Sequence, residues 1–274
     1  MTLTQQVALR RMPGSIEQPD QLVVEEPLEI ILRGCCDNEF IEKTVAITMR
    51  TPGDDAALAA GFLFTEGIIV KKKDIVSIEL SESLNRVLIE LRSDMQPELK
   101  TLERHFYTNS SCGVCGKTSL DALRAIAVYD VEIGGSSFDE AVLRRLPEYL
   151  LNGQGAFEMT GGAHASALFD ESGAILDLAE DVGRHNALDK LIGRALLSGS
   201  LPLRNSGVLL SGRASFELLQ KARMAATPML VCLGAPSSLA VDLAWEAGMT
   251  LVGFLRAEGF NIYSYPSSIS EGHS

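Results

Sequence analysis

Residues 207–255, GVLLSGRASFELLQKARMAATPMLVCLGAPSSLAVDLAWEAGMTLVGFL, repeat one pattern. Three apolar runs of strand length, Gly207 to Leu210, Met229 to Leu233 and Thr250 to Leu255, alternate with two segments whose apolar residues recur at helical spacing, Phe216 to Ala225 and Leu239 to Ala247. Gly248 stops the second helix. Alternation of this kind implies parallel strands covered by helices, and such sheets bind ligands in the crevice at the carboxyl ends of their strands.

Each of those ends runs into a loop of small residues: Ser211-Gly212-Arg213-Ala214-Ser215, Gly234-Ala235-Pro236-Ser237-Ser238 and Arg256-Ala257-Glu258-Gly259. The first two open a helix. Glycine and serine at a helix N-terminus offer N–H groups to an anion, and Arg213 and Arg256 add charge-assisted hydrogen bonds. Ordinary capping and turn chemistry explains a single loop of this type without a ligand. Three along one edge point to a phosphate-bearing ligand.

Further upstream, His164 to Phe169 and Ala174 to Leu178 read as a hairpin around Asp170-Glu171-Ser172-Gly173, followed by a helix from Arg184 to Leu197 that ends near Gly199. Two flanking segments carry more chemistry than a scaffold needs. Thr160-Gly161-Gly162-Ala163-His164 is a glycine-rich turn ending in histidine, and Glu180-Asp181-Val182-Gly183-Arg184-His185-Asn186 places polar groups at a helix start. Glu180 and Asp181 are expected to cap that helix, leaving Arg184 and His185 for a phosphate or a base edge. Earlier still, Leu28 to Leu32, Lys43 to Thr48, Ile75 to Leu80 and Arg86 to Leu91 read as strands of a mixed sheet. Between them, Asp55 to Phe64 reads as a helix started by the turn Thr51-Pro52-Gly53-Asp54. The expected organisation is therefore a small α+β domain over residues 1–108 and an α/β domain over 109–274.

The second domain begins with Ser110-Ser111-Cys112-Gly113-Val114-Cys115-Gly116-Lys117. Helical spacing starts only afterwards, at Leu120, Leu123 and Ala127, with Thr118 or Ser119 placed to cap. A cysteine on a loop entering a helix N-terminus, with Lys117 beside it, is favoured as thiolate and is nucleophilic near neutral pH. Other readings of the pair stand beside this one. Zinc needs about four ligands, and His105 and His164 would have to complete the set. A thioredoxin-like redox pair belongs after a strand in an early βαβ unit, whereas this motif lies far into the chain. A structural disulfide conflicts with a reducing compartment.

At 274 residues, 46 % hydrophobic and 22 % charged, the chain has material for a substantial core. A net charge of −12 argues against general nucleic-acid binding, which relies on clustered lysine and arginine, and Lys71-Lys72-Lys73 reads as a solvated face. No apolar run reaches the ~20 residues of a membrane span, and Met1 to Gln21 has no signal-peptide core and carries Glu17 and Asp20. The expected location is the cytoplasm.

Taken together, the Cys112–Cys115 motif, Thr51-Pro52-Gly53-Asp54-Asp55, Gly61-Phe62-Leu63, Thr160 to His164, Glu180 to Lys190, Ser211-Gly212-Arg213 and Gly253-Phe254 through Tyr263 resemble, in order, the FdhD family of formate dehydrogenase accessory proteins. The resemblance runs from about Val23 to Pro266. It implies a cytidine-deaminase-like α/β domain beside a smaller N-terminal domain, assembled as a homodimer. The implied activity is that of a sulfurtransferase which accepts persulfide sulfur from a cysteine desulfurase and delivers it to the bis(molybdopterin guanine dinucleotide) molybdenum cofactor of formate dehydrogenase; guanine nucleotides are expected mimics of that cofactor. Cys112 matches the persulfide-bearing cysteine and Cys115 an auxiliary thiol. Phe254, Leu255, Arg256, Ala257, Glu258 and Gly259 match the cofactor-binding segment, with His164, Arg184 and Arg213 as further expected neighbours. The chain departs from the family at Cys232-Leu233-Gly234-Ala235-Pro236-Ser237-Ser238, where a serine-rich turn is usual. Cys232, Cys35 and Cys36 read as structural. A zinc deaminase activity is disfavoured because the paired zinc signature is absent. A non-covalent cofactor-binding chaperone is the main alternative.

Overall fold

The computed structural model describes residues 3–13, 16–36, 39–81, 85–95, 128–132 and 136–270. The chain opens with an antiparallel hairpin, β1 (Thr4–Arg11) and β2 (Ile16–Val23), that sequence reading passes over. A second sheet of order β4-β3-β6-β5 follows, built from β3 (Glu26–Cys36), β4 (Glu39–Arg50), β5 (Ile75–Ser81) and β6 (Arg86–Leu91). Leu28, Ile30 and Leu32 alternate inward along β3 and are fully buried, as are Val87 and Ile89 on β6. Helix α1 (Asp55–Thr65) packs on that buried face. Its start is fixed by the expected turn: Gly53 and Asp54 take positive φ, and the buried Arg50 grips Asp55 in the first turn through two bonds of 2.9 Å. The three lysines at 71–73 are exposed, as expected.

After β7 (Phe138–Asp139) come three short helices, α2 (Glu140–Leu143), α3 (Leu146–Gly153) and α4 (Gly155–Thr160). The hairpin of β8 (His164–Phe169) and β9 (Ile175–Asp181) leads into α5 (Arg184–Ser198). Then strand and helix alternate as the sequence predicts: β10 (Gly207–Leu210), α6 (Phe216–Met224), β11 (Met229–Cys232), α7 (Ser238–Ala247) and β12 (Thr250–Arg256). The chain closes with β13 (Gly259–Ser264) and the short β14 (Ile269–Ser270), which pairs with β7. The large sheet has the order β13-β12-β11-β10-β8-β9, its centre β10, β11 and β12 parallel and its flanks antiparallel. Successive residues of these strands point to opposite faces. Val208, Leu210, Leu230 and Leu251 join α5, α6 and α7, while Leu209, Val231 and Val252 join α2 and α3. The mixed α/β class is as expected, and the boundary placed near residue 108 lies outside the described residues.

The core beneath the first sheet continues without a break into the second. Leu58 and Leu63 of α1 share one apolar cluster with Leu188 and Ile192 of α5 and Leu218 of α6. Two glycines make this junction. A Cβ on Gly61 would lie 1.9 Å from the Asp189 carbonyl oxygen, and one on Gly193 would lie 1.8 Å from that of Ala57, so α1 and α5 cross backbone against backbone.

Buried polar locks bracket the crossing. Before α1, Lys190 Nζ meets Asp181 Oδ2 at 2.7 Å and donates to the Thr51 carbonyl at 2.8 Å, while Thr51 N donates to Asp181 Oδ2 at 3.1 Å. Asn186 joins them, donating to the Met49 carbonyl at 2.7 Å and to Asp181 Oδ1 at 3.1 Å. At the far end of α1, Lys221 Nζ contacts both oxygens of Asp189, Glu66 and the Thr65 hydroxyl. Burial by itself would lower the Lys221 pKa; the charges of Asp189 and Glu66 outweigh it and raise it.

These contacts correct one expectation. Asp181 does not cap α5, whose N-cap is Gly183 with no side-chain bond; it is the buried counter-ion of Lys190. Glu180 caps a different helix, its carboxylate accepting from Ala156 N and Phe157 N at 2.9 Å each in the first turn of α4.

Gly61→Ala is expected to destabilise the protein by about 3 kcal/mol or more, because neither main chain at the crossing can yield to the new methyl. Urea unfolding of wild type and variant measures this, and an unchanged midpoint would refute the crossing.

Candidate functional site along the carboxyl edge

The loops after β10 and β11 and the bulge in β12 lie side by side and bond in sequence. Gly234 N donates to the Gly212 carbonyl, Phe254 N to the Gly234 carbonyl and Ser237 N to the Ala214 carbonyl, each at 2.9 Å. The approach is tight: a Cβ on Gly234 would come within 2.8 Å of Arg213 Cγ and 3.0 Å of that residue's backbone. The first two expected loops and the Phe254 bulge therefore form one continuous rim.

The serines at the helix starts are engaged in capping. Ser215 Oγ accepts from Leu218 N at 3.4 Å and Ser237 Oγ from Ala240 N at 3.3 Å. The cations are arranged differently. Arg213 is exposed, whereas Arg256 Nη1 donates to the Leu233 carbonyl at 2.7 Å and the Leu255 carbonyl at 2.6 Å, lying across the ends of two strands. Within the matched segment, Phe254 has φ +54° and is 45 % exposed at a register shift of β12 against β13, an aromatic ring presented to solvent in a costly backbone conformation. Leu255 points the other way, into the core. Ala257 is tied down through its carbonyl by Arg144 Nε at 2.7 Å, while Glu258 is exposed and Gly259 starts β13.

At the other end of the rim, His164 opens β8 beside Gly212, whose Cβ would stand 3.5 Å from the imidazole Nδ1. Burial, and then the positive charges of Arg184 and His185, push the His164 pKa below its ordinary value, against a weaker pull from Asp181. Arg184 begins α5, and its Nε is buried without a hydrogen-bond partner among the described residues. His185 Nε2 stands 2.9 Å from Glu217 Oε2 on α6. Its proximity is the largest cause lowering the Glu217 pKa. His164, Arg184 and His185 thus form one electrostatic group.

Between this rim and α3–α4 opens a cleft of about 350 Å³, walled by Leu151, Phe157 and Leu233 and reached by His164, Ser211 and Gln154. Sequence reading missed Gln154 and Glu217. The Asn152-Gly153-Gln154-Gly155 break between two helices was a signal for the first, but no local pattern reveals that Glu217 faces His185. Cys232, two residues before Gly234 on β11, is fully buried, donates its thiol to the Gly234 carbonyl at 3.2 Å, and has its pKa pushed up by burial to about 11. Cys35 is half-buried on β3. Cys112, Cys115, Lys117 and His105 lie outside the described residues.

Fold and rim together define a mixed α/β protein with a cationic, cleft-bearing edge at the carboxyl ends of three parallel strands. Residues 23–270 match the model of the FdhD/NarQ family. The chain is 50 % identical to the sulfur carrier protein FdhD of Streptomyces avermitilis over 266 residues, covering 93 % of this chain and 92 % of that one. It is 43 % identical to its namesake in Picrophilus torridus, covering 91 % and 92 %. Among solved structures, a Desulfotalea psychrophila protein described as a formate dehydrogenase accessory protein superposes with a TM-score of 0.74 at 25 % identity, over 97 % of this chain and 98 % of that one. The chain belongs to the FdhD/NarQ family, as its motifs indicate.

The lowered pKa of His164 has a defined consequence. Below the ordinary value of 6.5 the unfolded chain takes up a proton that the folded chain refuses, so stability falls as pH falls through that range. Wild type should therefore lose stability relative to His164→Asn between about pH 7 and pH 5. Thermal melts across that range test it, and a constant difference between the two proteins would exclude it.

Proposed function

We infer that this protein is a sulfur carrier serving formate dehydrogenase, with Cys112 as the residue that bears the sulfur. The observation that carries the reading is the likeness, over more than nine-tenths of the chain, to relatives named for that role, in a chain that holds the Cys112–Cys115 pair. The chemistry balances with those two thiols. The Cys112 thiolate attacks the outer sulfur of a persulfide on a cysteine desulfurase, forming Cys112–S–SH and releasing the donor's thiolate. Cys115 then attacks the inner sulfur, closing a Cys112–Cys115 disulfide. Its thiolate supplies the electron pair with which the outer sulfur leaves as hydrosulfide.

The acceptor in this reading is bis(molybdopterin guanine dinucleotide) bearing its molybdenum, a cargo whose oxo ligand leaves as water when sulfide enters. Its phosphates suit Arg213, Arg256 and Arg184, and the exposed Phe254 ring suits stacking on one of its heterocycles. A thiol reductant restores the pair. The cytidine-deaminase-like label for the α/β layer, assembly as a homodimer and residence in the cytoplasm belong to the same proposal.

The test is intact-protein and peptide mass spectrometry after incubation with a cysteine desulfurase and cysteine. Wild type should gain one sulfur mapping to the 110–117 peptide, Cys112→Ala none, and Cys115→Ala a persulfide that persists. No gain on Cys115→Ala, where the persulfide cannot be discharged, while the desulfurase is active would sink sulfur transfer and favour a non-covalent cofactor chaperone.

A further inference from the structure

The turn that joins β12 to β13 is fastened from outside the rim. Ala257 and Glu258 form it, between Arg256 and Gly259, at the edge of the large sheet. The ladder beside it is irregular. Its register shifts between the Gly253–Asn261 and Arg256–Gly259 pairs, so strand pairing alone does not hold the intervening Phe254. Phe254 nevertheless keeps φ +54°. A residue with a side chain persists in that conformation only where its surroundings over-determine it.

Two of the determining contacts belong to the rim. Phe254 N donates to the Gly234 carbonyl at 2.9 Å, and Arg256 Nη1 binds the Leu233 and Leu255 carbonyls. A third comes from 113 residues away, where Arg144 Nε donates to the Ala257 carbonyl at 2.7 Å. Arg144 directly follows α2, whose Leu143 is fully buried, so the guanidinium is carried on an anchored element. Asp139 caps that helix, accepting from Ala141 N at 2.7 Å, and Glu140 Oε1 stands 3.6 Å from Arg144 Nη1 one turn back. The Arg144 side chain is 43 % exposed, and a contact so open to solvent contributes little to global stability. Its effect is on the turn it holds.

We propose that Arg144 is a positioning residue for cargo delivery, fixing the Ala257–Glu258 turn through the Ala257 carbonyl and so setting where Phe254 and Arg256 are presented. The assignment rests on the function proposed above and adds a residue that none of the sequence motifs contains. Arg144 acts through the turn. Without its bond the segment has to be ordered at each binding event, and that ordering is subtracted from affinity.

Hydrogen-exchange mass spectrometry and calorimetric titration with GDP, which carries guanine and phosphates as the cargo does, test this on the full-length protein. Arg144→Ala should exchange the amides of residues 253–260 at least about threefold faster than wild type, with other peptides at the wild-type rate. It should also bind GDP about fivefold more weakly at an unchanged melting temperature. Arg145→Ala removes the same charge from the neighbouring exposed residue and should change neither quantity. Arg144→Lys, which keeps the charge and a donor, should recover most of the affinity. Unchanged exchange or unchanged GDP affinity in Arg144→Ala, an equal loss in Arg145→Ala, a lowered melting temperature that accompanies the loss, or a wild type that binds no GDP would overturn the assignment. Persulfide loading of the Cys115→Ala protein, measured in parallel, separates the two readings: GDP binding that depends on Arg144 without loaded sulfur removes the carrier function and leaves the role of Arg144 standing.

Discussion

The α1–α5 crossing sets the distance between the two sheets. One sheet lies outside α1 and the other outside α5, so their separation equals the thickness of two helices in backbone contact. Glycine in mid-helix costs about 1 kcal/mol relative to alanine in intrinsic propensity, yet here it permits a close packing that larger residues forbid. A buried Asp–Lys pair sits at each end of α1, Asp181 with Lys190 before it and Asp189 with Lys221 after it. Such pairs contribute little net stability once desolvation is counted, but breaking one leaves a charge stranded in the interior. They hold the crossing in one register, and through Asp181 they hold the start of α5, where Arg184 and His185 stand.

The sheet and helix pattern was legible because it depends on local periodicity. β10 and β6 begin and end where the apolar runs do, and α5 and α7 stop at Gly199 and Gly248 in the left-handed conformation that glycine accepts readily. The β1–β2 hairpin escaped notice because its residues are mostly exposed or half-buried, leaving a weak alternation to read. The crossing was hidden for a different reason. Nothing near Gly61 says that its partner is Gly193, and a helical glycine read alone looks like a flaw.

The candidate site was legible in its parts and not in its roles. Thr51–Asp54 reads as a turn and Glu180–Asn186 as chemistry, and in the fold the polar groups of both turn largely inward. Thr51 binds Asp181 and Lys190, Asp54 pairs with Arg194, and Glu180 caps α4. A polar run at a helix start has two possible audiences, a ligand and the rest of the chain, and only tertiary contacts distinguish them. The arginines split in the same way: Arg213 faces outward, while Arg256 spends hydrogen bonds on the strand ends that it joins.

Cys232 carries a different kind of consequence. Its thiol lies under the rim, two residues from Gly234, yet burial holds it protonated far above neutral pH and no solvent reaches it. Thiol exchange requires thiolate and access, and this sulfur has neither. Here the packing of β11 serves as insulation, keeping the one fully buried cysteine among the described residues protonated at neutral pH.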